Sequence, residues 1–195
     1  MIRKLLLAGT AAMMLMALNA DAYADPVTLV QGQSVTFTYQ STQFAGSSAQ
    51  ATFTLQGNQL TINYTNTSTN GTFLSGVGFN TTPDLVVTNA AFSPNSNWEF
   101  SDHGGGLGGF EARVSGNGKD GRLAGGESGT VVLTVSSVPA SLTIDLTRAH
   151  LTSLPNGDSE KPAGAVPEPA TVLLLGSGLA GVAAKMRRRR KLSIE

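Results

Sequence analysis

The fold is decided by residues 51–65, which read ATFTLQGNQLTINYT. Apolar and polar residues alternate on both sides of the centre of this stretch, with Ala51, Phe53, Leu55, Leu60, Ile62 and Tyr64 as the apolar members. Successive side chains of a strand point to opposite faces, so the alternation predicts two strands that are each apolar on one face. Gly57 and Asn58 lie between them and both tolerate positive φ, which predicts a hairpin.

The same pattern extends outward from this hairpin. Further strands are predicted over Val35–Gln40, Phe73–Phe79, Leu85–Phe92, Trp98–Phe100, Phe110–Val114, Thr130–Val135 and Ser141–Leu146. One apolar face and one threonine-rich face, repeated over about nine short strands, predict an all-β fold, an antiparallel β-sandwich of Ig-like or jelly-roll-like type. The glycine-rich residues 102–129 predict long loops around a single strand.

The N-terminal segment has the layout of a secretory signal peptide. Arg3 and Lys4 precede an apolar stretch from Leu5 to Leu18, and small residues follow, with Ala22 and Ala24 at the favoured cleavage site. We therefore assign residues 1–24 to a signal peptide, whose apolar part is a helix, with cleavage after Ala24. A retained N-terminal anchor is the alternative.

The C-terminal segment combines three features in a fixed order. Val166-Pro167-Glu168-Pro169 is followed by an apolar run from Ala170 to Ala184 and then by a cluster of cations: Lys185, Arg187, Arg188, Arg189, Arg190 and Lys191. The run predicts one transmembrane helix, which at about 1.5 Å per residue is short for a hydrocarbon core of about 30 Å. The cations hold this end of the helix in the cytoplasm.

This arrangement over residues 166–191 resembles the sorting signal of PEP-CTERM proteins, which are exported by Gram-negative bacteria. The resemblance implies processing by an exosortase, a membrane-embedded thiol transpeptidase, with Pro167, Glu168 and Pro169 as its recognition residues. It also implies export through the Sec translocon and an inner-membrane precursor that is later found at the cell surface, in the outer envelope or outside the cell. A plain tail anchor is the alternative.

These two segments leave one domain between them. Residues 25–153 are predicted to form the β-sandwich ectodomain, and the polar, Pro- and Gly-rich residues 154–165 a linker. Residues 25–165 contain ten acids and five bases, a net charge near −5, so nothing in the composition favours nucleic-acid binding. The chain has no cysteine, which excludes disulfides and thiol catalysis.

Motifs that suggest an enzyme lack their structural context. Residues 104–109 satisfy G-x-G-x-x-G, but no helix is predicted after them, as the dinucleotide site requires. His103 opens a lipase-like HGGG sequence, yet no G-x-S-x-G elbow exists. A hydrolase would need a polar cluster around His103 or His150 that the sequence does not reveal. We predict no enzyme, no catalytic residue and no cofactor.

Two candidate binding sites lie near the glycine-rich loops. Trp98, Phe100 and Phe110 form an aromatic set that would stack on sugar rings if exposed, although packing in the core is favoured. Asp102, Glu111, Asp120 and Glu127 would bind Ca²⁺ if folding brought them together, although separate solvated acids are favoured, and no metal site is assigned.

These features predict a non-enzymatic, structural protein of the cell surface or of an extracellular matrix such as the exopolysaccharide of a biofilm. The alternative is an adhesin-like or carbohydrate-binding module that acts through the glycine-rich loops.

Overall fold

A computed structural model describes residues 26–94, 97–102, 106–114, 121–137 and 140–166. The predicted signal peptide, the residues Pro167, Glu168 and Pro169, and the apolar and basic segments after them lie outside the described residues, as do both predicted helices. Across the described ranges, no helix is long and apolar enough to cross a membrane.

The described residues form strands joined by turns and loops, which confirms the all-β prediction. The strands are β1 (Val27–Val30), β2 (Ser34–Gln40), β3 (Ser48–Gln56), β4 (Gln59–Asn66), β5 (Phe73–Thr82), β6 (Val87–Ser93), β7 (Trp98–Asp102), β8 (Phe110–Val114), β9 (Ser128–Val135), β10 (Ser141–Thr152), β11 (Ser159–Glu160) and β12 (Gly164–Ala165).

The strands make two antiparallel sheets of six strands each. The first sheet has the order β1-β10-β5-β8-β7, with β11 pairing along the same edge of β10 as β1. The second has the order β12-β2-β3-β4-β9-β6. The predicted hairpin lies in the second sheet, where Gln56 pairs with Gln59 and Gly57 has a φ of 57°.

The core lies between the two sheets, as a β-sandwich requires. Its centre is a series of aromatic contacts: Phe37 meets Phe53 within the second sheet, with ring centroids 5.4 Å apart. Phe53 then meets Phe79 of the first sheet edge to face at 5.3 Å. The alternating residues of the sequence are the ones buried here, since Phe37, Phe53 and Phe79 are at most 1% exposed.

The main departure from the sequence analysis concerns residues 154–165, which we call the strap. The composition of the strap predicts a linker, whereas the structure packs it on the fold and ends the compact unit at Ala165. β11 pairs with β10, Ala163 forms a bridge to Arg148, and β12 pairs with β2. The strap therefore joins the first sheet to the second along one edge.

Specific polar contacts hold the strap in place. Leu154 is 2% exposed, and its amide and carbonyl close the turn that contains Gly157. Farther along, the Glu160 carboxylate accepts hydrogen bonds from Ser41 Oγ at 2.5 Å and from Thr42 Oγ1 at 2.7 Å. Since these partners are distant in sequence, composition alone could not reveal them.

Candidate functional site

The outer face of the first sheet carries a group of charged and polar side chains on neighbouring strands. Cross-strand pairing aligns Arg113 of β8, Gly76 of β5 and His150 of β10 in one row. The next row on the same face contains Glu111, Gly78 and Arg148. Each row thus has a glycine at its centre and polar side chains on both sides.

The two glycines make room for the loop before β8. A Cβ at Gly76 would lie 3.0 Å from Leu107 Cδ1, and one at Gly78 would overlap Leu107 still more closely. Leu107 is only 3% exposed because it fills this space. At Gly108 the loop backbone itself meets the backbone of Phe79, where a Cβ would lie 2.8 Å from Phe79 N. The loop therefore covers part of the sheet face.

Glu111 lies beneath this loop, on the sheet, and binds the backbone of the loop. Its side chain is 1% exposed, and its carboxylate accepts hydrogen bonds from the backbone amides of Gly106, at 2.6 Å, and of Leu107. Consecutive backbone N–H groups that converge on one oxygen form an anion-binding concavity, here occupied by the protein's own side chain. Arg113 Nη1 lies 3.7 Å from the second carboxylate oxygen. The Glu111 carboxylate therefore has its partners within the fold: two loop amides and Arg113.

Ser75 and His150 meet at a bulge in the pairing of β5 with β10. Ser75 Oγ lies 2.9 Å from His150 Nδ1 and donates to the His150 carbonyl oxygen at 3.2 Å. A hydroxyl has one hydrogen to donate, so when it donates to the carbonyl oxygen, Nδ1 is the donor in the other contact. Ser75 thereby fixes the ring, with Nε2 as its remaining acceptor.

Positive charges surround this histidine. Burial lowers the pKa of His150 below its ordinary value of 6.5, and the charges of Lys161 and Arg122 lower it further. Glu111 opposes them, while Arg113 adds a smaller effect in the same direction as the other cations. His150 is therefore mainly neutral at pH 7. We call Arg113, Arg122, Arg148, His150 and Lys161 the basic patch.

The described residues thus form a polar cluster around His150. In serine hydrolases the hydroxyl donates to the histidine that removes its proton. Here the Ser75 hydroxyl lies within hydrogen-bonding distance of both His150 Nδ1 and the His150 carbonyl oxygen, and Ser75 is only 7% exposed, which leaves little of it open to a substrate. His103, the other histidine considered, lies outside the described residues. The patch can offer cationic and hydrogen-bonding groups to an anion.

The structure does not bring the predicted aromatic set together on the surface. Trp98 is 4% exposed, stacks on Tyr64 with centroids 4.5 Å apart and donates from Nε1 to Gly121 O at 2.8 Å. Phe110 is 1% exposed and contacts Phe79 in the core with the rings tilted by 30° and their centroids 5.4 Å apart. Phe100 is half-buried and lines a shallow open depression beside β6. Core packing, the favoured alternative, describes Trp98 and Phe110.

Two of the acids weighed as a calcium site, Glu111 and Glu127, make separate contacts within the fold. Glu111 is buried under the loop, and Glu127 Oε2 accepts a hydrogen bond of 2.7 Å from the amide of Ala124. Asp120 lies outside the described residues. In the part of the chain that the structure describes, no three His, Cys, Asp or Glu residues are grouped as metal ligands.

Sequence reasoning missed the basic patch because its members are separated along the chain. Arg113 and Arg122 lie within the glycine-rich region 102–129, Arg148 lies in β10, and Lys161 lies in the strap. The available signal was the period of two in β10, which places Arg148 and His150 on one face, opposite the buried Ala149.

Comparison with known proteins identifies one segment of the chain. Residues 165–190 match the family model of the PEP-CTERM protein-sorting motif, which confirms the predicted sorting signal within one residue at each end. No curated protein and no solved structure shows a significant match to the chain. The sorting motif marks an exported protein that is processed by an exosortase and sorted to the cell envelope or the extracellular space.

Proposed function

We propose that this protein is a non-enzymatic structural component of the cell surface or extracellular matrix, which an exosortase delivers as a folded β-sandwich domain. The observation that carries the proposal is the sorting motif over residues 165–190, which begins at the last residue of β12. The precursor enters the Sec translocon, loses residues 1–24 and is held in the inner membrane by the apolar run 170–184 until Pro167, Glu168 and Pro169 are recognised.

A structural role is supported by the way the described residues use their polar groups. The buried acid Glu111 holds a loop, and the serine beside His150 holds a histidine ring. Both groups are thus committed to holding the fold, whereas a catalytic group must reach a substrate. Adhesive or carbohydrate-binding activity is the second candidate. The contact surface for such an activity would be the basic patch and not the glycine-rich loops.

Intact mass spectrometry tests the sorting proposal. The protein is recovered from the envelope and medium of an exosortase-bearing Gram-negative host, together with a variant that carries Pro167→Ala, Glu168→Gln and Pro169→Ala. We expect the unmodified sequence to give a mass that ends near residues 166–169, with or without an added group. The triple variant is expected to keep residues 170–195.

Two controls make the result specific. Pro162→Ala alters a proline of the strap outside the motif and is expected to be processed normally. The same host without its exosortase is expected to accumulate the unprocessed protein. A mass that retains residues 170–195 in the unmodified protein would overturn the proposal and indicate a permanently anchored β domain.

A further inference from the structure

The cations of the described fold are concentrated on one surface. Residues 25–165 carry a net charge near −5, yet the basic patch contains all four of the arginines and lysines in the described part of this range. Like charges repel at close range, so such a grouping in an acidic domain costs stability unless a partner of opposite charge offsets the repulsion. The grouping therefore indicates an anionic partner.

The neighbouring acids pair with Arg113, whereas among the described residues Arg122, Arg148 and Lys161 have no ion-pair partner. Glu111 is buried and bound to loop amides, and its contact with Arg113 is 3.7 Å long. Glu99 Oε1 lies 3.6 Å from Arg113 Nε and forms an ion pair whose side chains are 45–50% exposed, so water weakens it. Glu160 of the strap is directed to Ser41 and Thr42 instead. Arg113 itself keeps a side chain that is 50% exposed.

The patch is wide enough for an extended ligand. Arg113 on β8 and His150 on β10 are separated by β5, a distance of about 10 Å at about 4.8 Å per strand. Lys161 extends the patch across the strap, and the bridge between Leu74 and Leu123 places Arg122 beside Ser75. A single small anion would contact only part of this surface, whereas a chain with repeated charges would contact all of it.

We propose that the basic patch binds an acidic polysaccharide, with its cations contacting carboxylates on successive sugar units. His150, whose ring is fixed by Ser75, offers Nε2 to a sugar hydroxyl between them. This inference rests on the proposed function, because an exported matrix protein meets such polymers, and it names the ligand class of that role.

A lipid surface fits the patch less well. Proteins that bind membranes through cations usually add exposed apolar side chains that enter the bilayer interface. The exposed large apolar residues among those described are Val30 and Val86. Val30 pairs with Ser141, at the opposite end of β10 from His150, and Val86 precedes β6 of the second sheet. Neither belongs to the patch.

Binding to polygalacturonate tests the proposal, with the full chain purified in a neutral detergent. Affinity is compared with that for dextran, an uncharged polymer, and for phosphatidylglycerol vesicles. The key variant combines Arg122→Gln, Arg148→Gln and Lys161→Gln and leaves Arg113, the partner of Glu111, in place. The matched control combines Arg122→Lys, Arg148→Lys and Lys161→Arg, which keeps every charge.

We expect saturable binding to polygalacturonate, none to dextran, and a loss of affinity of at least about tenfold in the charge-removing variant. The charge-preserving variant should bind within about threefold of the original protein. In the unmodified protein, affinity should also fall steeply between about 50 mM and about 200 mM salt. The C-terminal cations could give the same salt effect, so a second variant changes Lys185, Arg187, Arg188, Arg189, Arg190 and Lys191 to Gln. It leaves the patch intact and should keep the affinity and its fall with salt, which tests the proposal even if the patch substitutions impair folding.

Several outcomes would overturn the proposal: no saturable binding to polygalacturonate, equal binding to dextran, full affinity in the charge-removing variant, or no effect of salt. Binding to the vesicles that is lost in the charge-removing variant, without binding to polygalacturonate, would assign the patch to a lipid surface. The sorting proposal is judged separately, because the charge-removing variant keeps Pro167, Glu168 and Pro169 and should be processed to the same extent.

Discussion

The hydroxyl of Tyr39 donates a hydrogen bond of 2.6 Å to Thr147 Oγ1 between the two sheets. Thr147 Oγ1 in turn donates to the carbonyl oxygen of Gly78 at 3.1 Å, and this requires Tyr39 to be the donor in the first bond. Tyr39 is fully buried and Thr147 is 1% exposed. The two bonds thus connect β2 of one sheet to β10 and β5 of the other.

Removing this hydroxyl is expected to weaken the fold. Tyr39→Phe leaves Thr147 without its donor at a buried position and should lower the free energy of unfolding by about 1–2 kcal/mol. Urea denaturation followed by tryptophan fluorescence measures the change. Tyr64→Phe serves as the control, because the described residues provide no hydrogen-bond partner for the Tyr64 hydroxyl. An equal loss in both variants would contradict the assigned role of the Tyr39 bond.

Glu111 and Glu99 contact the same arginine and should differ greatly in importance. Glu111→Ala leaves the amides of Gly106 and Leu107 without their acceptor, so the free energy of unfolding should fall by about 2–4 kcal/mol. Glu99→Ala removes a pair whose side chains are 45–50% exposed and should cost less than about 1 kcal/mol. Urea denaturation of both variants checks the ratio.

The strap is expected to loosen in acid. Burial alone raises the pKa of Glu160, but hydrogen bonds from Ser41 and Thr42 outweigh it and lower the pKa below its ordinary value of 4.5. A carboxylate whose pKa is depressed on folding stabilises the fold at pH values above its unfolded pKa, and this stability is lost as the pH falls through the folded pKa. Glu160→Gln should therefore be less stable at pH 7 than the original protein.

The difference between Glu160→Gln and the original protein should shrink as the pH falls below about 4.5, because the native carboxyl is then protonated too. Urea denaturation at pH 7, 5 and 3 measures the convergence, with Glu99→Gln as the control for general charge effects. A difference that stays constant with pH would show that Glu160 does not hold the strap through its charge.

Trp98 should matter for stability and leave ligand binding unchanged. Trp98→Ala removes a ring that stacks on Tyr64 in the core and should lower the free energy of unfolding by about 3–5 kcal/mol. Trp98→Phe keeps most of the packing and should cost less. Any binding to polygalacturonate should persist in the folded Trp98→Phe protein, since the ring is not part of the basic patch. A loss of binding in the Trp98→Phe protein would indicate that Trp98 contacts the ligand.

The strands could be predicted because their signal is local. The alternation in residues 51–65 depends only on neighbouring side chains, and the structure buries each of its apolar members. β1 was not predicted, because its four residues, Val27–Val30, give too short an alternation to distinguish from the chain around them. The period of two thus predicts longer strands and misses short ones.

The strap and the basic patch depend on contacts between distant residues. The Pro and Gly content of residues 154–165 is typical of a linker, yet Glu160 bonds Ser41 and Thr42 more than a hundred positions earlier. Ser75 and His150 are 75 positions apart and meet only because β5 pairs with β10. The burial of Trp98 is equally non-local, since its stacking partner, Tyr64, lies in the other sheet.

The last strand also determines how the domain is held after processing. Ala165 pairs with Thr38, whose hydroxyl donates to the Ala165 carbonyl oxygen at 3.1 Å, and the sorting motif begins at this same residue. A protein that ends at residues 166–169 has at most four residues between its rigid body and whatever it is joined to. The β-sandwich would then stay within a few residues of its attachment point, with no long spacer between the last strand and the surface that carries it.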